Sequence, residues 1–331
     1  MEQKIEAKTR KAPSKIDARL IGSLAPVAGL VLVVVVFSIL TKGALLSASN
    51  LQALASSVIT TAMCAIGAVF VFGAGYFDMS MGGSLCIAAV LGAKVMIASG
   101  SYFLGFVVIL AISMVLAIIK GLLASYVNIP FFIFTIILSS IFSAVVLVIM
   151  GSETTISLAS AAKAMRSFSF AEISVISVIV LALFFGFCLV MFNYTPLGVK
   201  AKNMGGNIIS ARQSGINTTS TTLTVFLMGG LGVALAALLL LMRTRTADAS
   251  MGGTLGTDVM VALVLGGMPL SGGPRSKISA GLIGAVTITF LNSGLAIMGL
   301  TTGQIQATRG VVFIIVVLVS SLSYRGKLLP R

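Results

Sequence analysis

A chain of 331 residues with 58% hydrophobic and 9% charged side chains departs far from a water-soluble domain, where about a quarter of residues are charged, so a single aqueous core is excluded. The net charge of +14, from 22 Lys and Arg against 8 Asp and Glu, points to basic loops of a membrane protein rather than to nucleic acid. There is no His, and Cys64, Cys86 and Cys188 all lie in apolar runs without a Cys-x-x-Cys pair, which excludes the usual zinc and haem sites and makes the thiols small core side chains.

In chain order, residues 1–19 form a polar tail carrying Lys4, Lys8, Arg10, Lys11, Lys15 and Arg19. The run from Leu20 to Leu40 is too long for the apolar stretch of a signal peptide and leads into further runs, so it is expected as a first span. Further spans are expected at about Leu51 to Phe72, Gly82 to Ser99, Phe103 to Leu123, Pro130 to Met150, Glu172 to Phe192, Thr221 to Met242, Asp258 to Leu270, Ile278 to Met298 and Gln304 to Ser323. Most approach the roughly 20 residues that cross a hydrocarbon core; Asp258 to Leu270 is the short one. Ten spans return the C-terminal tail, residues 325–331, to the side of the N-terminal tail. Charge supports that topology. Fifteen basic residues fall inside, counting Lys120 at a helix end, Lys200, Lys202, Arg212, Arg275 and Lys277, against Lys42, Lys163, Arg166, Arg243 and Arg245 outside, with Lys94 and Arg309 near outer helix ends. The expectation is an all-α integral membrane protein of about ten transmembrane helices spanning residues 20–324, with both basic tails cytoplasmic.

Two octapeptides match. Asp78-Met79-Ser80-Met81-Gly82-Gly83-Ser84-Leu85 and Asp248-Ala249-Ser250-Met251-Gly252-Gly253-Thr254-Leu255 agree at six of eight positions. Five expected spans separate them, so the copies would be inverted in the bilayer, as in many transporters. A true inverted repeat and coincidence in a chain rich in Gly, Ser and Met both remain open at this point.

The first copy breaks two apolar helices with glycines and a carboxylate. Irregular backbone within a bilayer must be buried or line a cavity, and an Asp at a helix centre costs about 2.5–3.5 kcal/mol on insertion scales. Asp78 therefore either caps the helix starting near Gly82 or lies on a pathway; both can hold. The glycine-rich stretch Gly266 to Ser276 reads as a tight turn whose glycines allow close helix packing. The motif GxxxxGK[ST] is absent, so no P-loop nucleotide site is expected.

The longest inner loop, about residues 196–220, holds a short candidate helix that Asn207 can cap and Gly215 can end. Two turns are too few to stand alone in water without docking on something. Its residues Gly198, Ala201, Gly205, Gly206, Asn207, Ala211, Ser214, Gly215 and Ile216 resemble the ATPase-docking segment of ABC importer permeases of the ribose, galactose and xylose class. Other stretches resemble that family in the same order: Asp78-Met79-Ser80-Met81-Gly82, Asn128-Ile129-Pro130-Phe131-Phe132, Leu265-Gly266-Gly267 with Ser271-Gly272-Gly273, Asn292-Ser293-Gly294-Leu295, and Gln304 to Gly310. Departures stand at Phe131, where the family carries a second Pro, and at Leu255-Gly256-Thr257-Asp258, where it carries Tyr-Glu-Leu-Asp.

The resemblance implies a type II ABC importer permease, a non-enzymatic subunit of a dimeric pore in the bacterial cytoplasmic (inner) membrane that moves a monosaccharide-like solute. It implies three partners: an ABC ATPase that holds ATP and Mg, an extracytoplasmic solute-binding protein, and a second permease chain, identical or a sibling. No cofactor is expected in this chain. Docking falls to Gly205, Gly206, Asn207, Ala211, Arg212 and Gly215. The translocation pathway falls to Asp78, Ser80, Gly82, Asp258, Asn292 and Ser293, although an interhelical hydrogen bond also accounts for Asn292 and Ser293. The competing reading is an ion-coupled secondary transporter using Asp78 or Asp258 as carrier. An intramembrane aspartyl protease lacks its Tyr-Asp and Gly-x-Gly-Asp signatures here, and an aquaporin lacks its Asn-Pro-Ala pair.

Overall fold

The computed structural model describes residues 15–127, 130–161 and 168–325. Residues 1–14 and 326–331, Asn128 and Ile129, and Lys163 and Arg166 lie outside the described residues. Helix already begins at Lys15, within the stretch expected as tail.

Ten helices answer to the ten expected spans: α1 (Lys15–Leu40), α2 (Ala48–Gly73), α3 (Met81–Ser99), α4 (Tyr102–Tyr126), α5 (Phe131–Met150), α6 (Phe170–Tyr194), α9 (Thr218–Thr244), α10 (Leu255–Leu265), α11 (Ser279–Ile297) and α12 (Thr302–Arg325). The other two, α7 (Pro196–Gly206) and α8 (Ile208–Gln213), form an elbow between α6 and α9. Among the described residues seven helices are long and apolar enough to cross a membrane, and α1, α10 and α12 contribute the shorter apolar stretches Leu24–Leu40, Leu255–Leu265 and Thr302–Leu318.

The short span α10 starts earlier and stops earlier than its apolar run. At 11 residues it is about 16 Å long, half a bilayer core. Gly267 adopts φ +90° and Pro269 follows, so the last residues of the run, 266–270, form the turn rather than the helix. The fold is not wholly helical either. Two three-residue strands, β1 (Thr155–Ser157) and β2 (Thr246–Asp248), pair antiparallel with Ile156 opposite Ala247, linking the α5–α6 loop to the segment after α9.

Small residues decide which helices sit inside. α2, α3, α9 and α11 bury Gly and Ala along most of their length, while α4, α5 and α6 bury only a stripe and expose Leu, Ile, Val and Phe. Without a hydrophobic force between helices in lipid, close backbone approach is what holds a bundle together.

The repeated octapeptide belongs to a true structural repeat. Asp78 and Asp248 are 170 residues apart, and α9 begins 170 residues after α2. Packing repeats as well: α4 lies on α9 as α11 lies on α2, and α3 contacts α4, α5 and α9 as α10 contacts α11, α12 and α2. The two links also fold alike. Ser80 donates its N–H (2.9 Å) and hydroxyl (2.6 Å) to Asp78 Oδ1, and Ser250 donates the same two groups to Asp248 Oδ1 at 2.8 and 2.5 Å. The copies then meet each other: a Cβ on Gly82 would stand 2.0 Å from the Gly252 carbonyl oxygen, and one on Gly252 would stand 2.2 Å from that of Gly82. Reciprocal contact of this kind is what a local two-fold axis produces.

Gly82→Ala and Gly252→Ala should each destabilise by about 3 kcal/mol or more, since backbone rather than a side chain must yield. Gly186→Ala, on α6 with open space at its Cβ position, should not. Thermal unfolding of the three variants in detergent checks this.

Candidate functional site

The elbow is built by local signals. Pro196 occupies the first turn of α7, where its missing N–H costs nothing. Asn207 ends α7 and caps α8, its Oδ1 accepting from the N–H groups of Ile209 (2.9 Å) and Ser210 (3.1 Å). Gly215 at φ +80° stops α8: its N–H reaches the Arg212 carbonyl (3.0 Å) and that of Ile216 reaches Ala211 (3.1 Å), the hydrogen-bond pair of a Schellman motif.

The six residues assigned to docking divide into two groups. Gly206, Asn207, Arg212 and Gly215 are exposed. Ala211 is buried against the bundle, and a Cβ on Gly205 would stand 2.1 Å from the Gly73 carbonyl oxygen and 2.6 Å from the Gly273 nitrogen. Gly205 seats the elbow on the end of α2 and the α10–α11 turn, where Gly273 N–H also donates to the Gly73 carbonyl at 2.9 Å. Lys202 lies over the Phe192 ring, 4.4 Å from its centroid, and partial burial pulls its pKa down. Sequence reasoning missed the exposed apolar tip: Ile208 is 41% and Ile209 67% exposed. Two adjacent isoleucines directly after the capping Asn207 were the available signal.

The predicted pathway residues are brought into two buried polar clusters. In the first, Lys120 on α4 donates to Asp78 Oδ2 at 2.6 Å and to Ser84 Oγ at 3.2 Å, with the Lys120 and Asp78 side chains 4% and 1% exposed. Lys120 is thus not a basic residue at the end of a helix, and it leaves the count of inner loop charges. Asp78 caps no helix amide; it closes the turn onto Ser80 just ahead of α3, whose N-cap, Ser80, makes no side-chain cap bond. A cavity that Asp78 lines is about 10 Å³, room for at most one water.

The second cluster joins α10, α11 and α12. Asp258 Oδ1 accepts from Arg309 Nη1, its Oδ2 accepts from the Thr254 hydroxyl at 3.0 Å, and Asn292 lies within hydrogen-bonding reach. Arg309, expected near an outer helix end, is 8% exposed and committed to this pair. Asn292 Oδ1 and Arg309 Nε have no partner among the described residues. Ser293 donates to Asn50 Oδ1 on α2 at 3.0 Å, the interhelical bond that competed with a pathway role.

A larger space opens next to these residues rather than at them. A cavity of about 180 Å³ lies between α3, α5 and the start of α10, lined by Gly83, Ser139, Ser140, Ser143, Gly253 and Thr257 among others. None of Asp78, Ser80, Gly82, Asp258, Asn292 or Ser293 lines it.

Removing one member of a buried ion pair strands the other and costs about 3–5 kcal/mol. Asp78→Asn and Lys120→Met should each lower stability by about that much, and the double variant should regain most of it, as a double-mutant cycle by thermal unfolding would record. A free carboxylate serving as ion carrier would leave Asp78→Asn as stable as the parent.

With this geometry in place, similarity to known proteins becomes informative. The model of the family described as branched-chain amino acid transport system / permease component matches residues 50–321. The ribose import permease protein of Bacillus subtilis is 30% identical over 297 residues, 89% of this chain and 91% of its own. That of Escherichia coli K12 is 25% identical over 281 residues, covering 82% and 86%. The xylose transport system permease protein of E. coli K12 is 33% identical over 135 residues, covering 41% and 34%. Ten apolar helices in an internal repeat, an elbow projecting between two of them, and a match along most of its length show that the chain belongs to this permease family, as the transmembrane subunit of an ABC importer.

Proposed function

We propose that the chain imports a monosaccharide-like solute across the bacterial cytoplasmic membrane, driven by a separate ABC ATPase that docks on the α7–α8 elbow. The observation that carries this reading is the exposed tip of the elbow. Gly206, Asn207, Ile208, Ile209 and Arg212 project from it, while Gly205 is pressed against the end of α2 and the α10–α11 turn and Ala211 is buried. A six-residue helix capped at both ends and bearing two exposed isoleucines is suited to a partner's groove, where an apolar anchor flanked by a cation supplies most of an interface's energy.

Of the two solute classes named by the family and its relatives, sugar is preferred because relatives matched over most of their length include ribose permeases. The ion-coupled alternative loses support from the pairing of Asp78 with Lys120 and of Asp258 with Arg309: each carboxylate already holds a cation. In this reading α7 and α8 face the cytoplasm with both chain termini, and the β1–β2 ladder lies on the outer side. The remaining partners are an external solute-binding protein on that outer side and a second permease chain. ATP and Mg belong to the ATPase, and this chain takes neither a cofactor nor a catalytic role.

Ile209→Glu and Gly206→Glu should abolish retention of the cognate ABC ATPase on the detergent-solubilised chain. Loss of a hot-spot contact of about 2 kcal/mol or more corresponds to about thirtyfold weaker binding. Unfolding temperatures should stay at the parent value because both positions are exposed. An Ala211→Glu variant should lose binding together with stability. If the parent chain retains no ATPase while folded, the docking reading falls.

A further inference from the structure

Resting on the permease reading, the 180 Å³ cavity supplies what neither the predicted pathway residues nor the ion pairs do. We propose that Ser140, Ser143 and Thr257 are the specificity-determining residues of the passage, reading the solute in this cavity as a neutral, donor-rich polyol.

Position, hydrogen-bond state and charge point there. The first is position. Ile136, Ser139, Ser140 and Ser143 follow one another at helical spacing along one face of α5, and the opposite wall is the repeat link Gly252, Gly253 and Gly256 with Thr257 on α10. Ser140, Ser143 and Thr257 are exposed, whereas polar groups in a bilayer are expected to face protein or a water-filled space.

The second is hydrogen-bond state. Ser140 donates to the Ile136 carbonyl (3.4 Å), Ser143 to that of Ser139 (2.9 Å), and Thr257 to that of Thr254 (2.7 Å). Each hydroxyl proton is spent on its own helix, so each oxygen is presented with its lone pairs free. An empty cavity of this kind strands no donor. A filled one accepts hydrogen bonds, and a sugar is a dense array of O–H donors. Such contacts are individually modest, which suits a station that must also release its load.

The third is charge. No Asp, Glu, Lys or Arg lines the cavity. Asp78 and Asp258, the ionisable groups of the adjoining helices and links that sequence singled out, are held by Lys120 and Arg309, and Asp248 is turned onto Ser250. A zwitterionic amino acid would enter without a counter-charge for its ammonium or carboxylate, and burying an unpaired charge is costly.

The test has two arms, both in the full chain co-expressed with its ATPase and solute-binding protein. In membranes, Ser140→Cys, Ser143→Cys and Thr257→Cys should react with a water-soluble, membrane-impermeant thiosulfonate, while Ile141→Cys and Val148→Cys, on the lipid-type face of α5, should not; unreactive thiols at all three cavity positions would overturn the site. In uptake assays with D-ribose, D-xylose, D-galactose and L-leucine as probes, the parent should import at least one sugar. The triple variant Ser140→Ala, Ser143→Ala, Thr257→Val should then need about tenfold or more of it for half-maximal uptake, since three modest contacts are removed. Import of leucine alone, of none of the three sugars, or unchanged half-saturation in the triple variant would overturn the assignment. ATPase retention, measured on the same preparations, separates these outcomes from failure of the permease reading itself.

Discussion

Two backbones cross at Gly82 and Gly252 with no volume left for a β-carbon on either, and much of the molecule is arranged around that contact. It brings the broken starts of α3 and α10 together in the interior. Irregular backbone between membrane helices needs partners for its polar groups, and each link supplies some of them locally. The Asp–Ser turn does so identically in both copies. Beyond the links the repeat diverges: α3 runs 19 residues, while α10 stops after 11 at its glycine turn. The half-length helix leaves room for the α10–α11 turn to fold inward beneath it and meet α2 and the elbow.

Two carboxylates of the described interior, Asp78 and Asp258, are each held by a cation. Asp78 with Lys120 ties the first link to α4, and Asp258 with Arg309 ties α10 to α12. Such pairs contribute little net stability compared with apolar packing, but they penalise any arrangement that separates them. They act as register marks for helices that would otherwise slide along one another on smooth Gly and Ala faces. The two pairs are not related by the repeat: the positions 170 residues from Lys120 and Arg309 are Phe290 and Ser139.

Much of this was legible in the chain. The ten spans follow from hydropathy, because lipid imposes length and composition on each helix separately. Asn207 and Gly215 announced both ends of α8 because capping is local chemistry. What stayed hidden depends on distant partners. Lys120 lies 42 residues from Asp78, and nothing near it in sequence distinguishes a buried ammonium from one at a helix end; the same holds for Arg309. Ala211 sits among docking residues in sequence yet faces inward, since a six-residue helix must give one side to its support. The β1–β2 ladder escaped notice because three residues on each strand carry no period to detect. The serines of α5 were read as part of an apolar span, and only the gap opposite them sets them apart.

The junction of Gly73, Gly205 and Gly273 has a mechanical consequence. Main chain meets main chain there, with a direct hydrogen bond and no side chain between the three segments. Side chains ordinarily act as compliant padding: they change rotamer and absorb small displacements. Here no padding exists, and bonded backbone is stiff. A push on the elbow would meet the end of α2 and the α10–α11 turn with little give between them. Stiffness at this one knot, rather than the size of any movement, would set how much of a stroke from the proposed docking partner arrives at the centre of the bundle.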